Sequence, residues 1–333
     1  MILNRRKAFV LIFTVWVLGF LTVLVVGLAA GIRQKIVLLE KLDQRSRIRY
    51  LLEAAVKYSD SYIGSQFNSS SQYTVGIKMN LHNNPNIFSQ FVLAGDTASI
   101  SYTLPDQGEI FGVVDEERKI NLNTTNVSIL TRLIEKVLLF KSDHAQKLAS
   151  DILDWRQFGQ SQVSGFFSDE YYNNLEYPYV KKDANYETLD ELLLVKGVTK
   201  EMYEKLINYV TIYGEGKVNI NTAPMQVLYA LGLEESLIEK ILEVRQGKDK
   251  TEATADDYVF LKTFDVATEI TTIVRLESTE VHAIDLLNKQ NFLTTTSSYF
   301  SIEAQARLAH SLFSKKIRAV ISLRENKIMY WRE

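Results

Sequence analysis

An uncharged apolar run near the N-terminus constrains this chain more than any other feature. The 24 residues from Phe9 to Ile32 contain no Asp, Glu, Lys or Arg. At about 1.5 Å per residue, a helix of this length crosses a hydrocarbon core of about 30 Å. A basic cluster at residues 5–7 precedes the run. The sequence therefore predicts one membrane-spanning helix, with residues 1–7 in the cytoplasm and the body on the other side.

Two interpretations of this run stay open. It is longer than the apolar region of a secretory signal peptide, which has about 7–15 residues. In one interpretation it is a plain membrane anchor. In the other it follows a short pilin-type leader, which a peptidase would cut between Ala8 and Phe9, so that the run remains as the membrane helix.

The helical pattern continues beyond the membrane segment. No Pro or Gly interrupts the chain between Gly31 and Gly64, and apolar residues recur there at helical spacing among charged ones. We therefore predict one helix from Phe9 to about Tyr62. Its second half is amphipathic and needs a cover over one face.

Composition excludes several classes of site. The net charge is −2, from 38 basic and 40 acidic residues, and nothing in it suggests a polyanionic partner. The absence of Cys excludes disulfides, zinc–thiolate sites and thiol nucleophiles. The sequence shows no metal triad, nucleophile elbow, P-loop or dinucleotide fingerprint, so we predict that the chain is not an enzyme. Two acidic clusters, Asp115-Glu116-Glu117 and Asp256-Asp257, are interpreted as solvated turns.

Strand patterns flank a helical region. In Tyr299–Leu308, alternate residues are apolar, which predicts a strand with one dry face that the long N-terminal helix would cover. The predicted strands are Gln72–Lys78, Phe88–Ala94, Ala98–Leu104, Gly108–Val114, Thr271–Leu276, Val281–Ile284, Tyr299–Leu308, Lys316–Leu323 and Lys327–Trp331. This arrangement predicts an α+β fold with an antiparallel sheet.

The region between the strands, residues 126–250, has helical periodicity and contains an internal repeat. Lys119-Ile-Asn-Leu-Asn-Thr-Thr125 recurs as Lys217-Val-Asn-Ile-Asn-Thr-Ala223. Each copy reads as a short strand followed by a helix. The favoured interpretation is that the two copies pair with each other, and the alternative is that each is an independent local cap.

At this point the motifs resemble a known family, type II secretion system protein K, also called general secretion pathway protein K. The resemblance covers nearly the whole chain and rests on the order of the motifs, since each alone is weak. These are the basic leader with its apolar helix, Val114-Asp115-Glu116, Lys119–Asn123, Ile152–Arg156, Glu170–Tyr172, Thr188–Val198, Val218–Pro224 and Tyr330–Glu333.

The resemblance implies a pilin-like fold, in which the long helix packs on the sheet, with a large inserted α-helical domain containing helix-hairpin-helix-like repeats. The expected divisions are a leader at 1–8, the transmembrane and amphipathic helix at 9–63, a first pilin-like part at 64–118, the inserted domain at 119–255 and a second sheet part at 256–333.

The resemblance also implies a function. A minor pseudopilin of this kind spans the inner membrane of a Gram-negative bacterium once, with its body in the periplasm, at the tip of a pseudopilus that exports folded proteins. The implied partners are the minor pseudopilins I and J, with protein H and the major pseudopilin G as further candidates, besides membrane lipid. Prepilin peptidase would cut after Ala8, and the new N-terminal residue, Phe9, would be N-methylated. Major pilin-type subunits carry a Glu five residues into the mature helix, whereas this chain has Phe13 there.

Family members are similar in binding calcium in the helical domain. The matching carboxylates here are Asp154, Asp169 and Glu170. Calcium takes six to eight oxygen ligands, and three carboxylates are few for such a site. The alternative is that Asp154 has a structural role as a cap or ion-pair partner.

A second candidate function is a membrane-anchored helix-hairpin-helix protein that binds DNA. Such hairpins bind phosphate through a Gly-x-Gly turn with basic residues nearby. Here the turns read Lys196-Gly-Val-Thr-Lys200 and Leu231-Gly-Leu-Glu-Glu235, so the second Gly is missing in both and the second turn is acidic. We therefore expect no nucleic-acid partner.

Overall fold

The structure is a computed structural model that describes residues 2–68, 73–104, 108–156, 168–309 and 313–333. The helices in these ranges are α1 Ile2–Asn68, α2 Val75–His82, α3 Pro85–Phe88, α4 Val127–Leu138, α5 Ser142–Asp154, α6 Ser168–Asn173, α7 Lys200–Leu206, α8 Met225–Ala230, α9 Glu235–Gln246, α10 Val266–Ile273 and α11 Ser278–Lys289. The strands are β1 Phe91–Leu93, β2 Asp96–Leu104, β3 Gly108–Phe111, β4 Val114–Asp115, β5 Ile120–Asn121, β6 Val210–Thr211, β7 Val218–Asn219, β8 Leu293–Thr294, β9 Tyr299–Arg307, β10 Ser314–Ser322 and β11 Lys327–Arg332.

Seven strands form an antiparallel sheet against the second half of α1. The strand order is β1-β2-β9-β10-β11, with β3 added to β2 and β4 added to β9. The predicted alternation is confirmed, because Ile302, Ala304 and Ala306 of β9 are buried. Ala304 lies opposite Ile317 of β10. These apolar side chains share one core with the buried face of α1, which begins at Ile48. The fold is therefore pilin-like and of the α+β class, as the sequence predicts.

Two helical units of similar construction lie between β4 and β9. In the first unit β5 pairs in parallel with β6, and in the second β7 pairs in parallel with β8. The predicted pairing of the two repeat copies with each other is therefore wrong. Each copy pairs instead with a two-residue strand that closes its own unit, which satisfies the backbone groups of the copy locally.

The same hydrogen bonds recur in both units at repeat-related positions. The first Asn of each copy, Asn121 or Asn219, accepts a bond from the amide two residues later. A buried or half-buried arginine at the end of the second helix then donates to two carbonyls of the copy. Arg156 donates to Leu122 and Thr125, and Arg245 donates to Ile220 and Ala223. The internal repeat seen in the sequence is thus one part of a tandem duplication of a whole folding unit.

Several strand predictions are wrong. The first half of Thr271–Leu276 lies in α10, Val281–Ile284 lies in α11, and the described part of Gln72–Lys78 lies mostly in α2. Their β-branched residues favour strands only weakly. Tertiary packing decides instead, because Ile270 of α10 and Ile284 of α11 are fully buried in the core of the helical units.

The helical insertion also extends further along the sequence than expected. The sequence placed the second sheet part from residue 256 onward. Phe260, Val266 and Leu287 belong to the core of the helical units, and the large sheet resumes only at Tyr299. The second unit therefore reaches to β8.

Candidate functional site: an uncovered helix and a docked pair of helical units

The first half of α1 has no cover within the described chain. The segment is long and apolar enough to cross a membrane, and none of its apolar window is buried. Exposure continues past the membrane-length run, since Leu42 is still 49% exposed, whereas Ile48 is fully buried. Fifteen residues of amphipathic helix, 33–47, thus separate the apolar run from the folded body, and apolar side chains there remain open to a membrane surface or to other helices.

The predicted processing residues lie in this uncovered helix. The Ala8–Phe9 bond is inside the backbone range of α1, and the Phe9 side chain is exposed. The side chain of Ala8 lies outside the described residues. Phe13, which stands where major pilin-type subunits carry a Glu, is also exposed. Cleavage and N-methylation at Phe9 stay predictions.

Two consecutive acidic residues, Asp115 and Glu116, join the sheet to the two helical units. Asp115 accepts hydrogen bonds from Asn219 at 2.9 Å and from Thr222 at 2.5 Å, both in the second unit. Glu116 binds the first unit through Lys119 and Thr211, each at 2.7 Å. Asp115 and Glu116 are buried and Glu117 is partly buried, so the interpretation of Asp115-Glu116-Glu117 as a solvated turn is wrong. Thr211, Asn219 and Thr222, which lie about a hundred residues later in the sequence, provide the hydrogen bonds that allow the carboxylates of Asp115 and Glu116 to be buried.

The pKa values of these carboxylates are moved in opposite directions. Burial alone would raise the pKa of Glu116, but the charges of Lys119 and Arg318 outweigh it and lower this pKa to about 2. Burial, and then the charge of Asp115, raise the pKa of Glu117 to about 7, although its carboxylate accepts a bond from the Ser298 amide at 2.5 Å. Glu116 is therefore a fixed anion, and Glu117 changes charge near neutral pH.

A buried ion pair fastens the second unit to α2. Lys78 lies 2.5 Å from Asp257, and both side chains are almost completely buried. The interpretation of Asp257 as part of a solvated turn is therefore wrong, although Asp256 is exposed. Two charges can be buried only when they pair closely, so this contact fixes the position of α2 relative to the unit.

The C-terminal strand fastens the first unit. Arg332 of β11 donates to Oδ1 of Asp190 at 2.6 Å, and Tyr203 of α7 donates to the same oxygen at 2.5 Å. Asp190 belongs to the Thr188–Val198 motif and Arg332 to the terminal Tyr330–Glu333 motif. Two motifs that appear separate in the sequence are therefore one contact.

The predicted calcium residues do not form a described metal site. Asp154 lies 3.3 Å from the ammonium group of Lys181, and Glu170 is exposed. The side chain of Asp169 lies outside the described residues. Among the side chains that the structure describes, no cluster of three or more acidic or histidine residues is placed to hold a metal ion. The described residues do not fit a calcium site at Asp154, and calcium binding by this domain stays an untested prediction.

The hairpin turns are shaped by glycine but lack the features that would bind phosphate. Gly197 and Gly232 have φ of +81° and +94°, which only glycine adopts without strain. Glu234 and Glu235 follow the second turn and are exposed. An exposed acidic pair repels phosphate, so the geometry gives the DNA-binding alternative no support.

A membrane-length helix on an antiparallel sheet, with a pair of docked helical units, defines a pilin-like protein that carries a tandem helical insertion. Residues 111–215 match the family model described as type II secretion system (T2SS), protein K. That range runs from the end of β3 through the whole first unit.

Two further comparisons agree. The type II secretion system protein K of Pectobacterium carotovorum subsp. carotovorum is 27% identical over 131 residues, which are 35% of this chain and 40% of that protein. The match thus spans two fifths of the relative's length. The crystal structure of the GspK-GspI-GspJ complex from the enterotoxigenic Escherichia coli type 2 secretion system aligns with a TM-score of 0.64 and 14% identity, over 88% of this chain and 98% of that chain. At that identity, the likeness shows the fold.

The resemblance predicted from the sequence motifs is thus confirmed: residues 111–215 match the protein K family model, and the chain is similar to type II secretion system protein K.

Proposed function

We propose that this chain is a minor pseudopilin of a type II secretion system, placed at the tip of the periplasmic pseudopilus, where it helps to initiate assembly and to export folded proteins across the outer membrane. The observation that carries the proposal is the combination within one chain of a protein K domain at residues 111–215 and a pilin-like helix whose first half the described chain leaves uncovered. An uncovered apolar helix requires lipid or the helices of other subunits.

The residue at position 13 is compatible with a position at the tip. A carboxylate in a membrane helix costs about 2.5–3.5 kcal/mol on insertion scales, so it is tolerated where a neighbour pairs with it. In pilin-type filaments the expected partner is the N-terminal ammonium of an adjacent subunit. A tip subunit has no neighbour ahead of it, and Phe13 is compatible with that position.

The partners that we propose are the minor pseudopilins I and J, with protein H and the major pseudopilin G as further contacts in the filament. The support is the fold shared with one chain of a complex whose title names GspK, GspI and GspJ. The proposed topology is a single pass through the inner membrane. Residues 5–7 hold the N-terminus in the cytoplasm, and the body lies in the periplasm. The proposal assigns no catalytic step to the chain.

Deletion of the gene in its native host tests the proposal. The culture medium should lose the exported proteins, which should accumulate in the periplasm, and the full chain supplied in trans should restore export. A matched strain should receive a chain whose uncovered helix carries Leu42→Glu, a change that leaves the buried face of α1 intact. We expect this variant to accumulate normally and to restore export poorly. Unchanged export after deletion would contradict the proposal.

A further inference from the structure

We propose that the ammonium group of Lys181 takes the structural place of a divalent cation beside Asp154, so that the first helical unit is held together without calcium at this position. The proposal is independent of the function proposed above. It concerns described residues at the end of α5 and in the segment that precedes the Thr188–Val198 motif.

Lys181 bridges two carboxylates at the end of α5. Its side chain is 4% exposed, and its Nζ lies 3.3 Å from Asp154 and 3.0 Å from Asp183. The backbone amide of Asp183 also donates to the carbonyl of Trp155 at 3.1 Å. One cation therefore joins the last residue of α5 to a segment almost thirty residues later, which is the task that a bound metal ion performs in many small domains.

The surrounding contacts continue this attachment. Lys182 donates to Glu191 at 2.8 Å, and Trp155 donates to the other oxygen of the same carboxylate at 3.3 Å. Tyr186 donates to the carbonyl of Ile152 at 2.7 Å. Residues 181–191 are thus wrapped around the end of α5, and Lys181 is buried within the contact.

The ammonium group and a calcium ion exclude each other. Calcium would need to lie about 2.3–2.6 Å from the same oxygens and to gather six to eight oxygen ligands. Lys181 already lies within ion-pair distance of both carboxylates, so a second cation there would meet strong repulsion with little solvent screening. Burial opposes the charge of Lys181, but the hydrogen bonds and charges of Asp183 and Asp154 outweigh it and raise the pKa of the lysine. The group remains charged at neutral pH.

The second unit has a related ion pair at the equivalent position, although its lysine, Lys78, lies in α2 outside the unit. The second Asn of each repeat copy accepts a bond from a backbone amide, that of Tyr186 in the first unit and that of Phe260 in the second. Three residues before these positions stand Asp183 and Asp257. Asp257 pairs with the buried Lys78, just as Asp183 pairs with Lys181. In both units, therefore, a buried lysine neutralises the aspartate at the related position.

Thermal unfolding of the full-length protein in detergent tests the proposal. We expect the same midpoint in excess chelator as in millimolar calcium. We also expect no terbium luminescence sensitised by Trp155, which directly follows Asp154. A calcium-dependent midpoint, or terbium emission, that Asp154→Asn removes would overturn the proposal. A calcium response that survives Asp154→Asn arises at another position and supports it.

A substitution of Lys181 provides a second test of the proposal. Lys181→Met keeps the length of the side chain and leaves two carboxylates without their cation, so we expect the midpoint to fall by roughly 5–10 °C. The control is Lys200→Met, because Lys200 is exposed and its ion pair with Glu204 lies within one turn of the same helix. We expect this control to change the midpoint by about 1 °C or less. Equal effects of the two substitutions would contradict the proposal. If Lys181→Met fails to accumulate, the wild-type comparison in chelator and calcium decides.

Discussion

At the scale of single residues, buried charged side chains are concentrated where the helical units meet the sheet. Arg245 is completely buried and donates to Ile220 at 3.0 Å and Ala223 at 2.7 Å, and it also pairs with Glu252. The charge of Arg245 overcomes the effect of burial on Glu252 and lowers the pKa of that carboxyl to about 2. Such pairs contribute little net free energy when intact, but removal of one partner is costly.

Arg245→Met should therefore destabilise the protein by about 3–5 kcal/mol, because Glu252 and two carbonyls would lose their donor in a buried site. Arg275→Met is the matched control, since the side chain of Arg275 is 89% exposed. That control should change the free energy of unfolding by less than about 0.5 kcal/mol. Urea denaturation followed by circular dichroism measures both. A small effect of Arg245→Met would show that water or rearrangement replaces its bonds.

The raised pKa of Glu117 predicts how the free energy of unfolding depends on pH. Its pKa is raised from 4.5 to about 7 in the folded protein, so the folded state holds a proton that the unfolded chain releases above about pH 4.5. The contribution of Glu117 is fully present below pH 4.5 and is lost as the pH rises through about 7. The difference in pKa corresponds to at most about 3 kcal/mol.

Glu117→Gln should remove this dependence, because an amide keeps an acceptor for the Ser298 amide and does not ionise. The variant should resemble the wild type near pH 4.5 and be more stable than it at pH 8, in denaturant titrations at both values. The comparison with the wild type cancels the opposite effect of Glu116 and Glu252, whose lowered pKa values remove stability on acidification. Parallel curves for wild type and variant would be inconsistent with the raised pKa of Glu117.

At the scale of secondary-structure elements, β11 does more than complete the sheet. One edge of β11 pairs with β10, and Arg332 at its end donates a hydrogen bond to Asp190 in the first helical unit. Both side chains are partly exposed, so the pair adds little to global stability. Its effect is expected in the attachment of the unit to the sheet.

Arg332→Gln should leave global unfolding nearly unchanged and increase amide hydrogen exchange in residues 188–207, since local opening then requires less free energy. Lys327→Gln in the same strand is the control, because Lys327 pairs with Glu325 inside its own turn. Hydrogen-exchange mass spectrometry measures both variants. Equal exchange in residues 188–207 for the two variants would exclude β11 as the fastening of the first unit.

Local patterns predicted those elements whose burial is regular. The alternation in Tyr299–Leu308 and the helical spacing beyond Gly31 correctly predicted β9 and α1, because each element buries one continuous face. The repeat copies were visible, but their partners, Val210–Thr211 and Leu293–Thr294, are only two residues long and carry no periodic signal. The pairing of the copies was wrong for that reason.

The contacts between the sheet and the helical units were less predictable than the helices and strands themselves. Asp115 and Asn219 meet across 104 residues, and Glu116 and Arg318 across 202. Contacts of such separation depend on the assembled fold, and an acidic tripeptide after a strand is more often a solvated turn. The one available signal was the position of Asp115-Glu116-Glu117 just before the first repeat copy, in which asparagines alternate with apolar residues.

At the scale of the whole molecule, the N-terminal helix extends away from a body fastened at several points. The body covers α1 from Ile48 onward, and the apolar run before it is left to lipid or to other subunits. The fastenings at Lys78, Asp115 and Arg332 hold the sheet and the helical units in a fixed relation. A rigid body of this kind suits a subunit that presents its helical units at the end of a filament.

Processing of the leader is a prediction at this scale. Cells that contain active prepilin peptidase should yield a chain that begins at Phe9 and carries a methyl group on its amine. Intact-mass spectrometry of the purified protein detects both changes. An intact Met1 terminus in such cells would contradict cleavage after Ala8 and favour a plain anchor. The resemblance to protein K implies a Gly before the cut, so Ala8→Gly should be cleaved at least as completely as the wild type.

Co-purification tests the central claim most directly. The full chain should be produced in one membrane together with the pseudopilins I and J of its own secretion system, extracted in mild detergent and isolated through a tag on this chain. We predict a stable complex that contains the three proteins in equal amounts and survives size-exclusion chromatography, while an unrelated single-pass protein of similar size is absent from it. A chain that elutes alone under the same conditions would contradict its assignment as a minor pseudopilin.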